Sequence, residues 1–522
     1  MSFELLNRLT YGTKPDELAK ALAMGETQWL EAQLNPPDAN DDVKRRIASA
    51  VFRINYGATA DYPAVNENRP LGMLEKPLKD LWHLTDNQNK MAYEERIRPL
   101  RELMAAKLIR AVYSPWQLQE LVVDFWLDHF NVHAGDAQIA VAMPRFEHDA
   151  IRKHGMGNFQ DLLVSVAQST AMLIYLNNRS SRTGAPNENY ARELFELHTM
   201  GKAHYLNNLY SKWRQVPGAE KGAPEGYIDQ DVYEAARALT GWVIQDGRAI
   251  GSGINLPKTG EFIYLDAWHD PYQKRILAQD LDPFAAPQAD GKLVLQMLSQ
   301  HPGTALHLCE KLCRRFVSDT PPPALVRSAA KVWQSHLKHP EQIAMVLRHI
   351  LQSTAFKQSL PPTGAGKLKR PLELAVGFIR QLDLPFMPTM ALVNEIANAG
   401  QRIYLWPTPD GHPDQGSFWL TSNTMRRRWM LPMGLIENWW ATGLVGPDQL
   451  TKGFEQPWNE SALLAHHANR LLGPQLAGPV RETVNRALQT PDKRWLGAGS
   501  DEWTGVRRQL AYLAMSPAYQ YR

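Results

Sequence analysis

The chain has 522 residues, 44% of them hydrophobic and 21% charged, which excludes a disordered or fibrous protein. Lys and Arg number 57 and Asp and Glu 54, and the resulting net charge of +3 excludes a surface built as one continuous nucleic-acid field. Two cysteines exclude a disulfide framework and a multi-cysteine metal cluster.

The opening residues, MSFELLNRLTYGTKPDELAKAL, lack the basic start, apolar core and small-residue cleavage site of a signal peptide. The expectation is a cytoplasmic chain, or one exported by riding on a partner. Helical periodicity then runs through most of the sequence. Residues 91–111 place Ile97, Leu100, Leu103, Met104 and Leu108 on one face, with regular helix starting near Pro99. A helix is predicted over 117–133. The stretch 159–176 is the most apolar, yet Gln160, Asp161, Ser165, Gln168, Ser169 and Thr170 make it a buried or amphipathic helix and not a membrane span. More helices are predicted over 188–200, 231–242, 305–316, 324–337, 340–351 and 371–382. The C-terminal third adds 423–439, 460–471, 480–488 and 502–515. Gly201 is a helix stop. Strand patterns are confined to 261–265 and 402–406. The fold class is therefore mainly α: a large multi-helical body with a few short strands and long irregular loops. Residues 205–226 read as a surface insertion and 406–416 (WPTPDGHPDQG) as a dense turn. Residues 360–370 read as a linker. It joins an N-terminal helical body (1–359) to a C-terminal helical unit (371–522) packed on it, or the two form one continuous domain.

Several groups of residues have the types and spacing that chemistry needs. His129 and His133, at i and i+4 on a helix, would share a face and chelate a divalent metal, with Asp124 and Asp128 near them. Over 188–198, Asn189, Glu193 and Glu196 share a helical face, Arg192 stands at its edge and His198 points nearly opposite. Buried, that face supplies general acid/base groups, so Glu193, His129, His198, Arg192 and Glu188 are the candidate catalytic residues. His129, His133, Glu193 and His269 are the candidate ligands of a divalent metal. Trp406, Asp410 and His412, on a turn stiffened by Pro407, Pro409 and Pro413, are candidate substrate contacts. Cys309 and Cys313 read as core thiols. The 16 Trp read first as core anchors and second as stacking platforms for sugar rings. No phosphate-binding loop, dinucleotide fingerprint or nucleophile elbow is present, so ATP, NAD and serine-hydrolase chemistry have no support.

The segments LLNRLTYG (5–12), DFWLDHFNV (124–132), NENYARELFELHTMG (187–201), DVYEAARALTGW (231–242), WHD (268–270), LWPTPDGHPD (405–414) and LAYLAMSPAYQYR (510–522) occur in order. Together they resemble the bacterial family catalogued as domain of unknown function 1800, over almost the full length. The resemblance implies a large helical body and brings no reaction with it. It also implies a partner, an exported neighbour of phosphatase/sulfatase-type fold, and an envelope destination. Two features depart from the pattern. Many relatives have a second His where this chain has Leu127, and the insertion between Gly201 and Tyr227 is long. The first departure weakens a metal site. The functional expectation is an enzyme with a His/Glu site, metal-assisted or general acid/base, doing hydrolysis-type chemistry on a glycan or other envelope polymer. The alternative is a non-catalytic binding or assembly partner of the exported neighbour.

Overall fold

The computed structural model describes residues 2–37, 41–251, 253–361, 366–455, 458–488, 495–497, 499 and 502–522. Helices dominate, and the strands among the described residues pair only as two-stranded antiparallel ribbons. The fold is mainly α. One apolar cluster runs from Leu5 to Tyr519 and takes side chains from both sides of residues 360–370. Half of the tryptophans are buried, with Trp126, Trp242, Trp333 and Trp419 sealed. Among the described residues no helix is long and apolar enough to cross a membrane.

Three helices position the site. Gln117–His129 is buried along most of its length and delivers Asp124, Phe125, Asp128 and His129 at its C-terminal end. Pro302–Phe316 starts with Pro at its first position, where no N–H is missed, and with His301 accepting the Gly303 N–H. Its Leu308, Cys309, Leu312 and Cys313 face the core. His307, Lys311 and Arg315, at i, i+4 and i+8, form a second stripe that faces the first helix. Pro371–Leu382 is buried at every residue. Its Glu373 carboxylate accepts the Arg370 backbone N–H at 2.8 Å, which caps the helix and fixes the chain that enters it. Residues 362–365 of the expected linker lie outside the described residues. Lys367, Lys369 and Arg370 of that stretch are buried.

Several predicted boundaries shift. The 117–133 helix ends at His129, because residues 130–134 leave it to meet the turn near 404–408. There the Ala134 N–H donates to the Tyr404 carbonyl at 2.9 Å, and Asn131 Nδ2 donates to the Trp406 and Thr408 carbonyls at 3.1 and 2.7 Å. The 188–200 helix runs as Glu188–Glu193 and then widens to a π turn, Leu194–His198. The 231–242 helix is Asp229–Ala238. Trp242 instead opens a strand, Trp242–Asp246, that pairs with Lys258–Tyr264 and so contains the predicted 261–265 strand. No strand forms over 402–406: Tyr404 sits at φ +58°, and its hydroxyl bonds to Glu147. A left-handed residue cannot continue an extended strand.

Candidate functional site

The C-terminal end of the Gln117–His129 helix, the Lys311 stripe, Arg370 and the 410–415 turn enclose a cavity of about 260 Å³. Phe125, Asp128, His129, Lys311, Arg314 and Arg370 line one side of it. Asp410, Gly411, His412 and Asp414 line the other. The turn approaches the helix so closely that a Cβ at Gly411 would collide with the Asp128 carbonyl, and Gly411 has φ +74°. Only glycine meets both demands at low cost.

The hydrogen bonds fix most proton positions. His129 Nε2 lies 3.1 Å from the His198 carbonyl oxygen, which can only accept, so Nε2 carries the proton. Nδ1 is then the acceptor for Lys311 Nζ at 2.9 Å. Burial and the Lys311 charge hold the His129 imidazole well below its usual pKa. On the opposite wall, His412 Nε2 accepts the Arg402 backbone N–H at 3.1 Å, and Nδ1–H donates to Asp128 Oδ1 at 2.8 Å. Arg370 donates to the other oxygen of Asp128 and lies 3.3 Å from Asp414. Burial pushes the Asp128 carboxyl up, but Arg370 and His412 outweigh it and hold it well below the usual carboxylate range.

Lys311 differs from these paired groups. Among the described residues no carboxylate comes within ion-pair distance of Nζ, and its one hydrogen-bond partner is the neutral His129 ring. Burial brings its pKa down to about 8, although Asp128, Asp414 and Asp410 pull the other way. An amine that titrates near neutrality in a cavity is a functional-site candidate. Sequence reasoning missed Lys311, Arg370 and Asp414. The spacing of His307, Lys311 and Arg315 beside a Leu/Cys stripe was the available signal for the first.

The predicted site residues divide into those near the cavity and those elsewhere. His129, His412 and Asp410 line it. Trp406 stands behind His412, with ring centroids 4.6 Å apart. Glu193 is half-buried and makes no hydrogen bond or ion pair with another described residue. Burial and Glu196 raise its pKa, and Asp410 adds to that rise, so the two carboxylates are in electrostatic reach of each other. His198 is sealed beneath His129 with neither ring nitrogen bonded, and burial takes it down to about 3. Arg192 is occupied by Asp229 at 3.1 Å, and Glu188 is exposed beside it. Neither lines the cavity.

The metal set does not assemble. His133 lies beyond the helix end, so it no longer shares a face with His129. His269 is bound elsewhere, to Asp290 at 3.2 Å and to the Thr240 carbonyl at 3.1 Å. Among the described residues no group of three or more His, Cys, Asp or Glu side chains converges to hold a metal ion. Cys309 and Cys313 are free and buried.

A family model described as "Protein of unknown function (DUF1800)" matches residues 4–521. The chain belongs to the DUF1800 family. No curated protein and no solved structure matches it. The DUF1800 match assigns no reaction, substrate or partner, so the chemistry of the cavity has to be argued from its residues. Those residues come from four stretches separated in sequence: 125–129, 311–314, Arg370 and 410–415; the first lies within the family-like segment 124–132, and 410–414 within 405–414.

Proposed function

We propose that this chain is an enzyme of general acid/base type and that its site is the 260 Å³ cavity. The observation that supports this most is Lys311, an amine with no carboxylate within ion-pair distance among the described residues, held by one neutral imidazole. Such a group exchanges a proton near pH 8 without breaking an ion pair. His129 orients it, and the His198 carbonyl fixes the His129 tautomer. Asp410, on the cavity wall, and Glu193, within its electrostatic reach, are the second acid/base pair. The Asp128–His412–Arg370 group is paired internally and holds the wall in place.

The cavity is at the small end of the usual range for ligand sites, roughly 300–1,000 Å³. It admits a small polar molecule or the end group of a polymer, not a run of a polymer. Charges on its walls balance, with Lys311, Arg314 and Arg370 against Asp128, Asp410 and Asp414. An uncharged, hydroxyl-rich group such as a terminal sugar fits these walls. No tryptophan lines them, so recognition here would rest on hydrogen bonds and not on ring stacking.

The test compares native protein with Lys311→Met on a panel of glycan fragments, glycosides and small esters. Turnover should fall by about 10²-fold or more in the variant, with circular dichroism unchanged. The native rate should rise with pH around a midpoint near 8, the value to which burial brings Lys311. Equal turnover by the two proteins would remove Lys311 from the mechanism.

A further inference from the structure

Which bond Lys311 acts on can be narrowed further; the argument rests on the reading of the cavity as an enzyme's site. Every other cation of the cavity is occupied. Arg370 is held by Asp128 and Asp414, and Arg314 lies 2.5 Å from Glu310. Among the described residues Lys311 meets only a neutral acceptor, the Nδ1 of His129. His198 and His307 stand behind it and are also held neutral, both brought down to about 3, chiefly by burial. Losing the Lys311 proton therefore breaks no ion pair. The neutral amine keeps one N–H on His129 and has its lone pair free for the cavity. This arrangement suits a nucleophilic amine better than an anion-binding cation.

We propose that Lys311 Nζ attacks the carbonyl carbon of a small hydroxylated aldehyde or ketone and forms an imine with it. The amine lone pair makes the C–N bond, and the π pair of the carbonyl moves to its oxygen, which takes a proton. The nitrogen gives up its own two protons in stages. The former carbonyl oxygen leaves as water, and C=N forms. No oxidant or reductant enters. Asp410, on the cavity wall, and Glu193, within its electrostatic reach, carry the protons between oxygen, nitrogen and solvent. The open-chain form of a reducing sugar belongs to this substrate class and matches the neutral, hydroxyl-binding walls. Hydrolysis of the imine, with water as the second reactant, returns the free amine.

Reductive trapping tests the step on the native full-length protein. Glycolaldehyde is the carbonyl probe, with sodium cyanoborohydride at pH 7, followed by proteolysis and mass mapping of every lysine. Two sets of lysines are internal controls. Lys20 and Lys90 are exposed, at 78% and 71%. Lys369 is also brought low, to about 7 and chiefly by burial, but it is sealed at 2% exposure. The expected result is an adduct on Lys311 roughly tenfold or more faster than on Lys20 or Lys90, saturating with glycolaldehyde, and none on Lys369 while the chain is folded. Labelling of Lys311 no faster than that of Lys20 and Lys90 overturns the imine. That result is separate from the turnover test. If Lys311→Met loses turnover while Lys311 is not trapped, acid/base catalysis stands and the covalent step falls.

Discussion

Lys311 and Lys369 carry the same ammonium into the interior and end in different settings. Lys369 Nζ lies 3.6 Å from the centre of the Tyr519 ring, with no hydrogen-bond partner among the described residues. It is a core cation held by an aromatic face. Lys311 borders a cavity and bonds to an imidazole. Burial lowers its pKa from the ordinary 10.5 to about 8. Between those two values the unfolded chain binds the extra proton, so this group makes stability rise with pH across that window. Below pH 8 both states hold the proton and the cost of burying the charge is fully felt. Lys311→Met has no such titration. The difference in melting temperature, variant minus native, should therefore be largest below pH 8 and shrink by pH 10.5. The change should correspond to about 1–3 kcal/mol, allowing for partial exposure. Thermal melts across that range measure it. A difference that stays constant would mean that the Lys311 amine is not desolvated. Little of this was legible in the sequence, because a lysine two residues from each of two core cysteines looks like an ordinary helix surface position until the facing helix is known.

At the scale of elements, the 406–416 turn matters most, since it closes the cavity against a helix end. Asn131 holds two of its carbonyls, Tyr175 donates to the Pro407 carbonyl at 2.9 Å, and Gly411 lets it lie on Asp128. Gly411→Ala should strain the left-handed residue by about 1–2 kcal/mol and push the turn off the helix. Hydrogen exchange over 405–415 should then speed up, and the His412–Asp128 contact should open. Unchanged exchange and an unchanged melting temperature would show that the turn has slack. The sequence announced this element well, because Pro and Gly at WPTPDGHPDQG have local meaning. It announced helix ends poorly. Helical period continues through Phe130–Asn131–Val132, and what stops the helix at His129 is a set of bonds to a turn some 270 residues away. The same holds for 402–406, where β-type residues are bent into a left-handed corner by a carbonyl bond to Ala134 and a hydroxyl bond to Glu147. The π turn at Leu194–His198 was invisible for a different reason. It is closed by local bonds that helical periodicity does not announce, with the Gly201 N–H donating to the Phe195 carbonyl and the Thr199 hydroxyl to the Leu194 carbonyl.

At the scale of the whole molecule, the two ends of the chain share one clasp. Arg8 is fully buried and donates to the carbonyls of Phe316, Val317, Ser359 and Arg522 at 2.9–3.0 Å. Arg522 returns a bond to the Arg8 carbonyl at 2.8 Å, and Leu368 bridges to Tyr521. Both lie in motif segments read from the sequence, LLNRLTYG and the last residues of LAYLAMSPAYQYR, where nothing local shows that they meet. Arg8→Ala takes a donor from four carbonyls, of which those of Ser359 and Arg522 keep the Gly366 and Lys367 N–H groups, and should cost about 3–5 kcal/mol. Because the main apolar cluster runs from Leu5 to Tyr519, the loss should appear as a shift of a single urea transition. A separate early transition, with the rest of the chain unaffected, would show that the N-terminal helix is an independent appendage.

The clasp also sets an order in time. Its two arginines are 514 positions apart, so a ribosome delivers one of them early and the other only after residue 522 has been joined. Until then Arg8 can reach the carbonyls of residues 316, 317 and 359, but its Nε lacks the Arg522 carbonyl and its own carbonyl lacks the Arg522 guanidinium. The fold thus closes only after synthesis has passed its last clasp residue. For the same reason, a fusion joined directly behind Arg522 has to leave its carbonyl free to reach Arg8 and the Lys367 N–H.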